Sequence, residues 1–355
     1  MKKPDAKPWK TLLPSYFPYL LYKVCIPLLL GLGGGSLRAQ VVPMPADTFY
    51  RIAFYNAENY FDCLHDSGKN DHDFTPTGIK GWGNAKYIQK RNNLFKVISA
   101  INAETPLVAL GMAEIENARV LRDLCRGPPL RYRNFDFVHF ESNDPRGIDV
   151  ALLYRTDLLR IDTAYPYPLV MPPDTVSRTR DILYVRALPQ HGVRLPDTLH
   201  LLVNHFPSKY GGVLKTEAKR AAAARLLRQV LDDLQVRHPD AFILAMGDFN
   251  TTPDDPALRR LDSVPFVNLM HAESWKGKTG SHKYREEWST IDHIYVNHNC
   301  FGNIRQGRAF LFDREFLLMS DERYLGNKPF RTFYGARYIG GYSDHLPVYI
   351  DVKIP

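Results

Sequence analysis

Gly247-Asp248-Phe249-Asn250 closes one apolar run, and Ser343-Asp344-His345 precedes another. Acid, amide and imidazole groups are thereby set against two segments that read as buried strands, Ala241-Phe242-Ile243-Leu244-Ala245-Met246 and Leu346-Pro347-Val348-Tyr349-Ile350. Burying polar groups is costly unless they are paired or bound to an ion. Four more clusters repeat the arrangement. Asn56-Ala57-Glu58-Asn59 follows Ile52-Ala53-Phe54-Tyr55, and Glu114, with Glu116 and Asn117 behind it, follows Val108-Ala109-Leu110-Gly111-Met112. Asn204-His205-Phe206-Pro207-Ser208-Lys209 follows Leu201-Leu202-Val203, and Asp292 sits in Ile291-Asp292-His293-Ile294. One such cluster alone usually closes a turn or caps a helix. Six in one chain, all rich in Asp, Glu, Asn and His, point to a site built on strand ends and to divalent-metal chemistry.

A hard divalent cation takes oxygen ligands, and Glu114 is the first candidate to supply one. A zinc-type Cys/His set is not seen: Cys63, Cys125 and Cys300 show no metal-like spacing. One disulfide with a free thiol and three reduced thiols are both open. His293 follows Asp292 directly, so alternation along a strand aims it the opposite way and gives it a structural role.

The elements that must position these groups are short and apolar. Strands are expected over 50–55, 106–112, 135–140, 148–154, 182–187, 199–203, 241–246, 290–296 and 346–352. A helix is expected over Asn84–Asn102, with Tyr87, Ile88, Leu94, Val97, Ile98 and Ile101 on its apolar face. Asn117 would cap a short helix ending near Cys125. The longest helix is expected over Val213–Val236, with Leu226, Leu227, Val230, Leu231 and Leu234 on one side, and a short one after Pro253-Asp254-Asp255-Pro256. Apolar strands alternating with helices and hairpin-like pairs predict an α/β sandwich, two packed mixed sheets with helices outside. Residues 158–197 and 300–340 read as long loops and edge strands over one rim.

The start of the chain reads differently. Lys2, Lys3, Lys7 and Lys10 precede an apolar stretch, best from Val24 to Leu32, and then Gly33-Gly34-Gly35-Ser36-Leu37-Arg38-Ala39. That order predicts a secretory signal peptide over residues 1–39, cleaved after Ala39, with the catalytic domain at 40–355. Lys23, Pro18 and Pro27 interrupt the apolar run and argue against a membrane anchor. Six basic side chains and one acid leave with the segment, so the net charge falls from +8 to +3. The charge of the full chain is therefore no evidence for nucleic-acid binding, and a modest bias toward anionic substrates remains. The expected location is outside the inner membrane, periplasmic or extracellular, with no integral membrane segment in the mature chain.

The order and spelling of the six clusters resemble the endonuclease/exonuclease/phosphatase superfamily, from Asn56 to His345. Gly-Asp-Phe-Asn together with Ser-Asp-His is specific to that group. Asn-His-Phe-Pro-Ser-Lys resembles its deoxyribonuclease I-like branch, and Arg146-Gly147-Ile148-Asp149-Val150-Ala151-Leu152-Leu153-Tyr154-Arg155 resembles its secreted bacterial members. The resemblance implies a four-layer α/β/β/α sandwich. It places Asn56, Glu58 and Asp344 around the same ion as Glu114, directly or through water, with Mg2+ as the cofactor and Mn2+ able to substitute.

Phosphodiester cleavage needs an activated water, neutralised phosphoryl oxygens and a stabilised leaving alkoxide. In that scheme Asp248 orients or deprotonates the water, and Asn250 holds it and a phosphate oxygen. His345 stabilises the phosphorane charge or acts as acid or base, Asp292 fixes its tautomer, and His205 protonates the leaving oxygen. The resemblance also implies a glutamate partner for His205, for which Glu141 and Glu217 are candidates. Arg178, Asn204, Ser208 and Lys209 are candidate substrate-binding residues, with Arg180 beside Arg178. The expected activity is metal-dependent phosphoester hydrolysis, foremost as an endonuclease on nucleic acid. A phosphatase or sphingomyelinase-like esterase on a phosphosugar, inositol phosphate or lipid is the alternative, and an inactive binding protein a third. A nuclease would use Tyr210, Lys209, Arg178 and Arg180. A lipid enzyme would expose Trp275, Trp288, Tyr284 and the 324–342 segment as an apolar rim. No stable protein partner is implied, and the chain is expected to act as a monomer.

Overall fold

A computed structural model describes residues 48–171, 176–209, 212–271 and 280–353. The expected leader, Tyr210 and Trp275 lie outside the described residues. The first half runs β1 (Tyr50–Tyr60), α1 (Asn84–Ile101), β2 (Leu107–Ile115), α2 (Ala118–Arg126), β3 (Phe135–His139), β4 (Asp149–Arg155) and β5 (Leu159–Tyr167). Next come β6 (Ile182–Pro189), β7 (Leu199–His205), α3 (Val213–Arg237), β8 (Phe242–Asp248), α4 (Pro256–Arg259) and β9 (Phe266–Asn268). The rest comprises β10 (His282–Tyr284), β11 (Glu287–Ser289), β12 (Asp292–Asn297), β13 (Phe310–Leu311), β14 (Leu318–Ser320), β15 (Asn327–Pro329), β16 (Phe333–Tyr334), β17 (Arg337–Tyr338) and β18 (Val348–Val352).

Two six-stranded mixed sheets form among the described residues. One has the order β13-β18-β1-β2-β4-β3 and the other β5-β6-β7-β8-β12-β9. Each holds a single parallel pair, β1 with β2 and β7 with β8, and antiparallel pairing elsewhere. Alternation along β8 shows how the layers stack. Phe242, Leu244 and Met246 join the core between the sheets, whereas Ile243 and Ala245 pack with Leu227, Leu231 and Leu234 of α3. The first sheet carries α1 and α2, whose Leu94, Val97, Ile98, Leu121 and Leu124 are fully buried. The result is the four-layer α/β/β/α sandwich. The sheets approach closely at Gly111 of β2, where a Cβ would sit 3.0 Å from the Met246 sulfur.

Local sequence accounts for the helix ends. The Asn117 side chain accepts from the backbone N–H groups of Arg119 and Val120, and Pro256 opens α4 behind the Asp255 cap. All nine expected strands are present. The 158–197 segment supplies β5, an edge strand, together with β6, and the 300–340 segment folds largely into the short hairpins β14–β15 and β16–β17. Two details depart from expectation. Ile88 is 44% exposed, and Lys90 is fully buried on the apolar face of α1. The three described cysteines are unpaired. No helix among the described residues is long and apolar enough to cross a membrane.

His293 is fully buried on the side of β12 facing α3, where its Nε2 meets the Thr251 carbonyl at 2.9 Å and its Nδ1 the Asn268 amide at 3.2 Å. That pairing holds the neutral ring, and burial lowers its pKa to about 4. Burial lowers His282 to about 4 as well, with His345 adding to the shift. An unfolded chain binds these protons near pH 6.5, so between pH 6.5 and 4 unfolding takes up protons and stability falls with pH. For His293 alone the loss approaches about 3 kcal/mol. Urea midpoints at pH 7.5 and 5 are expected to show the drop, and His293→Gln should lessen it; equal midpoints in the wild type would contradict this.

Candidate active site

Each parallel pair ends at the same edge of the sandwich, and the candidate residues sit on those ends. His205 and Asp248 are register partners across β7 and β8, and Asp292 faces Asp248 across β8 and β12. Asp248 and Asp292 share the parity of the inter-sheet core residues, so both turn toward the first sheet. From that sheet the Asn56 Nδ2 donates to Asp248 Oδ2 at 3.1 Å and points at Glu114 Oε1 at 3.5 Å.

Strict alternation would aim Glu114 away from the face that Gly111 presents to Met246. The ladder shifts register between Ala113 and Ile115, and Glu114 takes φ 61°. A second irregularity between Asn56 and Tyr60 holds Glu58 at φ 49° and Asn59 at φ 56°. Left-handed backbone costs a non-glycine residue roughly 1–2 kcal/mol, so the surrounding contacts must enforce it. They include the Asn59 N–H donating to Glu114 Oε2 at 2.9 Å and the Glu58 N–H donating to Asn56 Oδ1 at 2.9 Å.

The spelling of the two signature clusters acquires reasons here. A Cβ on Gly247 would lie 2.3 Å from the Asn204 carbonyl oxygen, so only glycine permits the β7–β8 approach. Phe249 is buried against Phe206 and Tyr295. Asn250, at φ 53°, donates its backbone N–H to Asp248 Oδ1 at 2.8 Å and its Nδ2 to the Phe206 carbonyl at 3.0 Å. Ser343 Oγ donates to the Asn56 carbonyl at 2.7 Å and accepts the His345 N–H at 3.1 Å. That serine fixes the loop carrying Asp344 and His345 to β1.

His345 stands between two carboxylates. Its Nδ1 lies 2.8 Å from Asp292 Oδ2, and its Nε2 lies 3.7 Å from Asp248 Oδ2. Burial would lower the imidazole, but Asp292 and Asp248 outweigh it and hold His345 protonated well above the ordinary histidine value. Asp248 is pushed up to about 7 by burial, with Asp292 adding and His345 opposing. His205 Nε2 also lies 3.7 Å from Asp248 Oδ2. Burial, then Arg180, Arg146 and His345, drive its pKa well below the usual range and keep it neutral. A separation of 3.7 Å is too long for a direct hydrogen bond. Two imidazoles and a carboxylate thus converge on one space without closing it, as groups do that await a water or phosphoryl oxygen.

Glu58 and Asp344 meet through Arg331, which donates Nε to Glu58 Oε1 at 3.2 Å and Nη2 to Asp344 Oδ2 at 3.0 Å. Thr332 N–H donates to Glu58 Oε2 at 2.6 Å. The fully buried Lys90 donates Nζ to Thr332 Oγ1 and Tyr342 O, each at 2.6 Å. Burial lowers Lys90 to about 8, while Glu58, Asp344 and Glu114 oppose the shift. The Arg331 guanidinium and the Thr332 N–H engage both Glu58 oxygens, whereas Glu114 meets only neutral donors, the Asn56 amide and the Asn59 N–H, in these hydrogen bonds. Glu114 and Asp344 are half-buried. With the Asn56 amide beside them they offer oxygen donors only, a set that fits a hard divalent cation.

Sequence reasoning missed Lys90, Arg331 and His282. Lys90 lies three residues after Tyr87 and four before Leu94, so its place on the apolar face was readable. His282 bridges to His345, and Ser281 Oγ accepts the Ile291 and Asp292 N–H groups.

The expected substrate-binding residues divide. Lys209 and Arg178 are exposed and Ser208 is half-buried. Asn204 is a correction: it is fully buried on the side of β7 opposite His205, and its amide donates to the Met246 carbonyl at 3.1 Å. Alternation separates it from the site. Arg180 is likewise buried, donating to Asp144 Oδ2 at 3.0 Å and the Phe206 carbonyl at 2.7 Å, so it cannot reach out with Arg178. Neither glutamate proposed for His205 partners it. Its Nδ1 is buried without a hydrogen bond among the described residues, Glu141 lies by His139 and Asp149, and Glu217 is an exposed residue of α3.

A family model described as Endonuclease/Exonuclease/phosphatase family matches residues 51–354. The chain is similar to a crystal structure of an endonuclease/exonuclease/phosphatase family protein from Bacteroides thetaiotaomicron: 18% identity, 86% of this chain and 98% of that chain covered, TM-score 0.54. It is also similar to the mannosyl-6-phosphatase of the same organism, with 16% identity, 86% and 100% covered, and TM-score 0.54. The human Nocturnin catalytic domain with bound sulfate shows 14% identity, 85% and 93% covered, and TM-score 0.52. These identities speak to the fold alone. Among curated proteins none matches the sequence.

Proposed function

The chain belongs to the endonuclease/exonuclease/phosphatase family of phosphoester hydrolases, and from that premise we propose that it is a divalent-metal-dependent nuclease that cleaves phosphodiester bonds in single-stranded nucleic acid. The observation that carries the substrate class is a pocket beside the site. Lys283, Arg285, Arg323, Lys328 and Arg331 line it together with Tyr284, Tyr324, Tyr334, Asp321 and Asp344. Asp321 pairs with Lys283 and Lys328, each at 3.1 Å, so the exposed Arg285 and Arg323 are the cations best placed to meet a phosphate backbone. Arg285, Arg323 and Lys328 lie over the rings of Tyr284, Tyr324 and Tyr334 at 5.3, 5.1 and 5.3 Å. Cations that follow a phosphate backbone, interleaved with rings on which bases stack, suit an unpaired strand. The same interleaving argues against the apolar rim a lipid enzyme would expose.

In this reading Glu114 and Asp344 would hold Mg2+, with Asn56 and Glu58 supporting them. The bound cation would supply Lewis-acid charge to the phosphoryl group. Asp248 accepts the proton of the attacking water as its oxygen bonds to phosphorus, and Asn250 orients that water. His345, charged through Asp292, faces the negative phosphoryl oxygens. Neutral His205 stands on the other side of Asp248. With no acidic proton of its own, it would hand on the proton that Asp248 takes from the water to the leaving alkoxide as the old P–O bond breaks. Ser208, Lys209 and Arg178 would meet the substrate at the rim, and the protein would act as an exported monomer.

A second reading is a phosphatase for a phosphorylated sugar, supported by the likeness to the mannosyl-6-phosphatase and by the same basic pocket. The purified chain with Mg2+ should be offered oligonucleotide, RNA, plasmid duplex, bis-p-nitrophenyl phosphate, a sugar phosphate and sphingomyelin in parallel. Single strands are expected to be cut faster than duplex, and Tyr284→Ala to raise KM for them several-fold. Turnover of monoester or lipid without strand cleavage would overturn the nuclease reading.

A further inference from the structure

We propose that His139, Glu141 and Asp149 form a structural metal site for a borderline divalent cation of the zinc type, sharing no residue with the active site. His139 ends β3 and Asp149 begins β4, and each side chain is 2% exposed. His139 Nε2 and Asp149 Oδ2 face one another at 3.7 Å, and neither has a hydrogen-bond partner among the described residues. One ligand atom from each of His139, Glu141 and Asp149 lies within 4.8 Å of the others. The second Asp149 oxygen accepts the Ser142 N–H at 3.0 Å, which holds the carboxylate in place. Asp181 shares a small cavity with Asp149, and its Oδ1 also lacks a partner among the described residues.

Unsatisfied buried polar atoms are rare in folded proteins, and each costs roughly 1–3 kcal/mol. Here three open atoms and three carboxylates gather with little positive charge to match them. Lys69 points its Nζ at the Ser142 and Asp144 carbonyls and makes no ion pair with these carboxylates among the described residues. A bridging water would occupy the open atoms but leave the charge standing. A cation answers both needs. An imidazole nitrogen beside carboxylate oxygens selects zinc over magnesium, which prefers an all-oxygen set.

Such an ion would tie the end of β3 to the start of β4 across the intervening loop. That loop carries Asp144, which holds Arg180 beside His205. The metal would therefore stabilise the fold and, at one remove, the rim of the active site.

The test uses the full chain, stripped with chelator, returned to excess Mg2+ and titrated with Zn2+ by calorimetry, with retained metal measured after gel filtration. Wild type and Glu114→Gln should each retain one zinc and gain thermal stability from it. Glu141→Gln and His139→Gln should lose affinity by more than the roughly 10–100-fold that an outer partner typically contributes. Should His139→Gln fail to fold, Glu141→Gln still decides, because Glu141 is exposed. A wild type that retains no zinc, or a Glu141→Gln that retains it equally well, would overturn the proposal.

Discussion

His345→Ala is expected to lower kcat for bis-p-nitrophenyl phosphate by about 10³-fold or more, within the range for a group that handles charge or protons in the transition state. The imidazole lies within reach of two carboxylates and is held protonated by them. Its charge is therefore in place before negative charge grows on the phosphoryl oxygens, and no reorganisation is needed when the water attacks. Asp292→Asn separates position from charge. Asparagine could still accept the Nδ1–H, but the compensating negative charge would be gone and burial would lower the His345 pKa. The variant should lose an intermediate factor, and the alkaline limb of its pH–rate profile should move to lower pH. If His345→Ala keeps more than about a tenth of the wild-type rate, a barrier change under ~1.4 kcal/mol, the imidazole has no role in the rate-limiting step.

How far the sequence reached this site follows from what kind of information each residue carries. Strand positions were readable because fully buried strands are largely apolar: β8 is so from Phe242 to Gly247, and β7 is interrupted only by His200 before Asn204 and His205. Polar residues at the ends of such strands stand out against that background, which is why Asp248, Asp292, Glu114 and Asn56 could be named. Alternation also gave the direction of His293 correctly. The same rule, applied to Asn204, would have turned it away from His205, since consecutive residues of β7 cannot share a face. Motif spelling pulled it into the site instead.

Long-range pairing was less readable. Arg331 comes from a stretch of short hairpins with weak periodicity, yet it joins Glu58 to Asp344. Arg180 looked like an exposed basic residue because nothing local says that Asp144, 36 positions earlier, will receive it. The absence of a carboxylate partner for His205 is a further case: a glutamate was expected by analogy, and the space around Nδ1 holds none among the described residues. His205 thus stays neutral through burial and the nearby Arg180 charge, with no glutamate at Nδ1 to hold a second proton on the ring.

Removing divalent metal should abolish turnover, and added Mg2+ should restore it, but the discriminating comparison is between two glutamates. Glu114 is half-buried, is held in left-handed backbone, and accepts hydrogen bonds from the Asn56 amide and the Asn59 backbone N–H. Both donors are neutral, so its charge is left for a cation. Glu58 is 3% exposed, and its charge is already met by the Arg331 guanidinium, with the Thr332 N–H on its other oxygen. Glu114→Gln is therefore expected to cut kcat/KM by at least ~10³-fold at any Mg2+ concentration and to erase the Mg2+-dependent rise in Tm. Glu58→Gln should shift the Mg2+ requirement upward by roughly 10–100-fold, as losing an outer partner does, and recover rate when Mg2+ is raised. Titrating rate and Tm against Mg2+ for both variants separates a ligand from its support. Recovery of Glu114→Gln at high Mg2+ with no recovery of Glu58→Gln would reverse the two assignments and move the cation to the Arg331 side of the cleft.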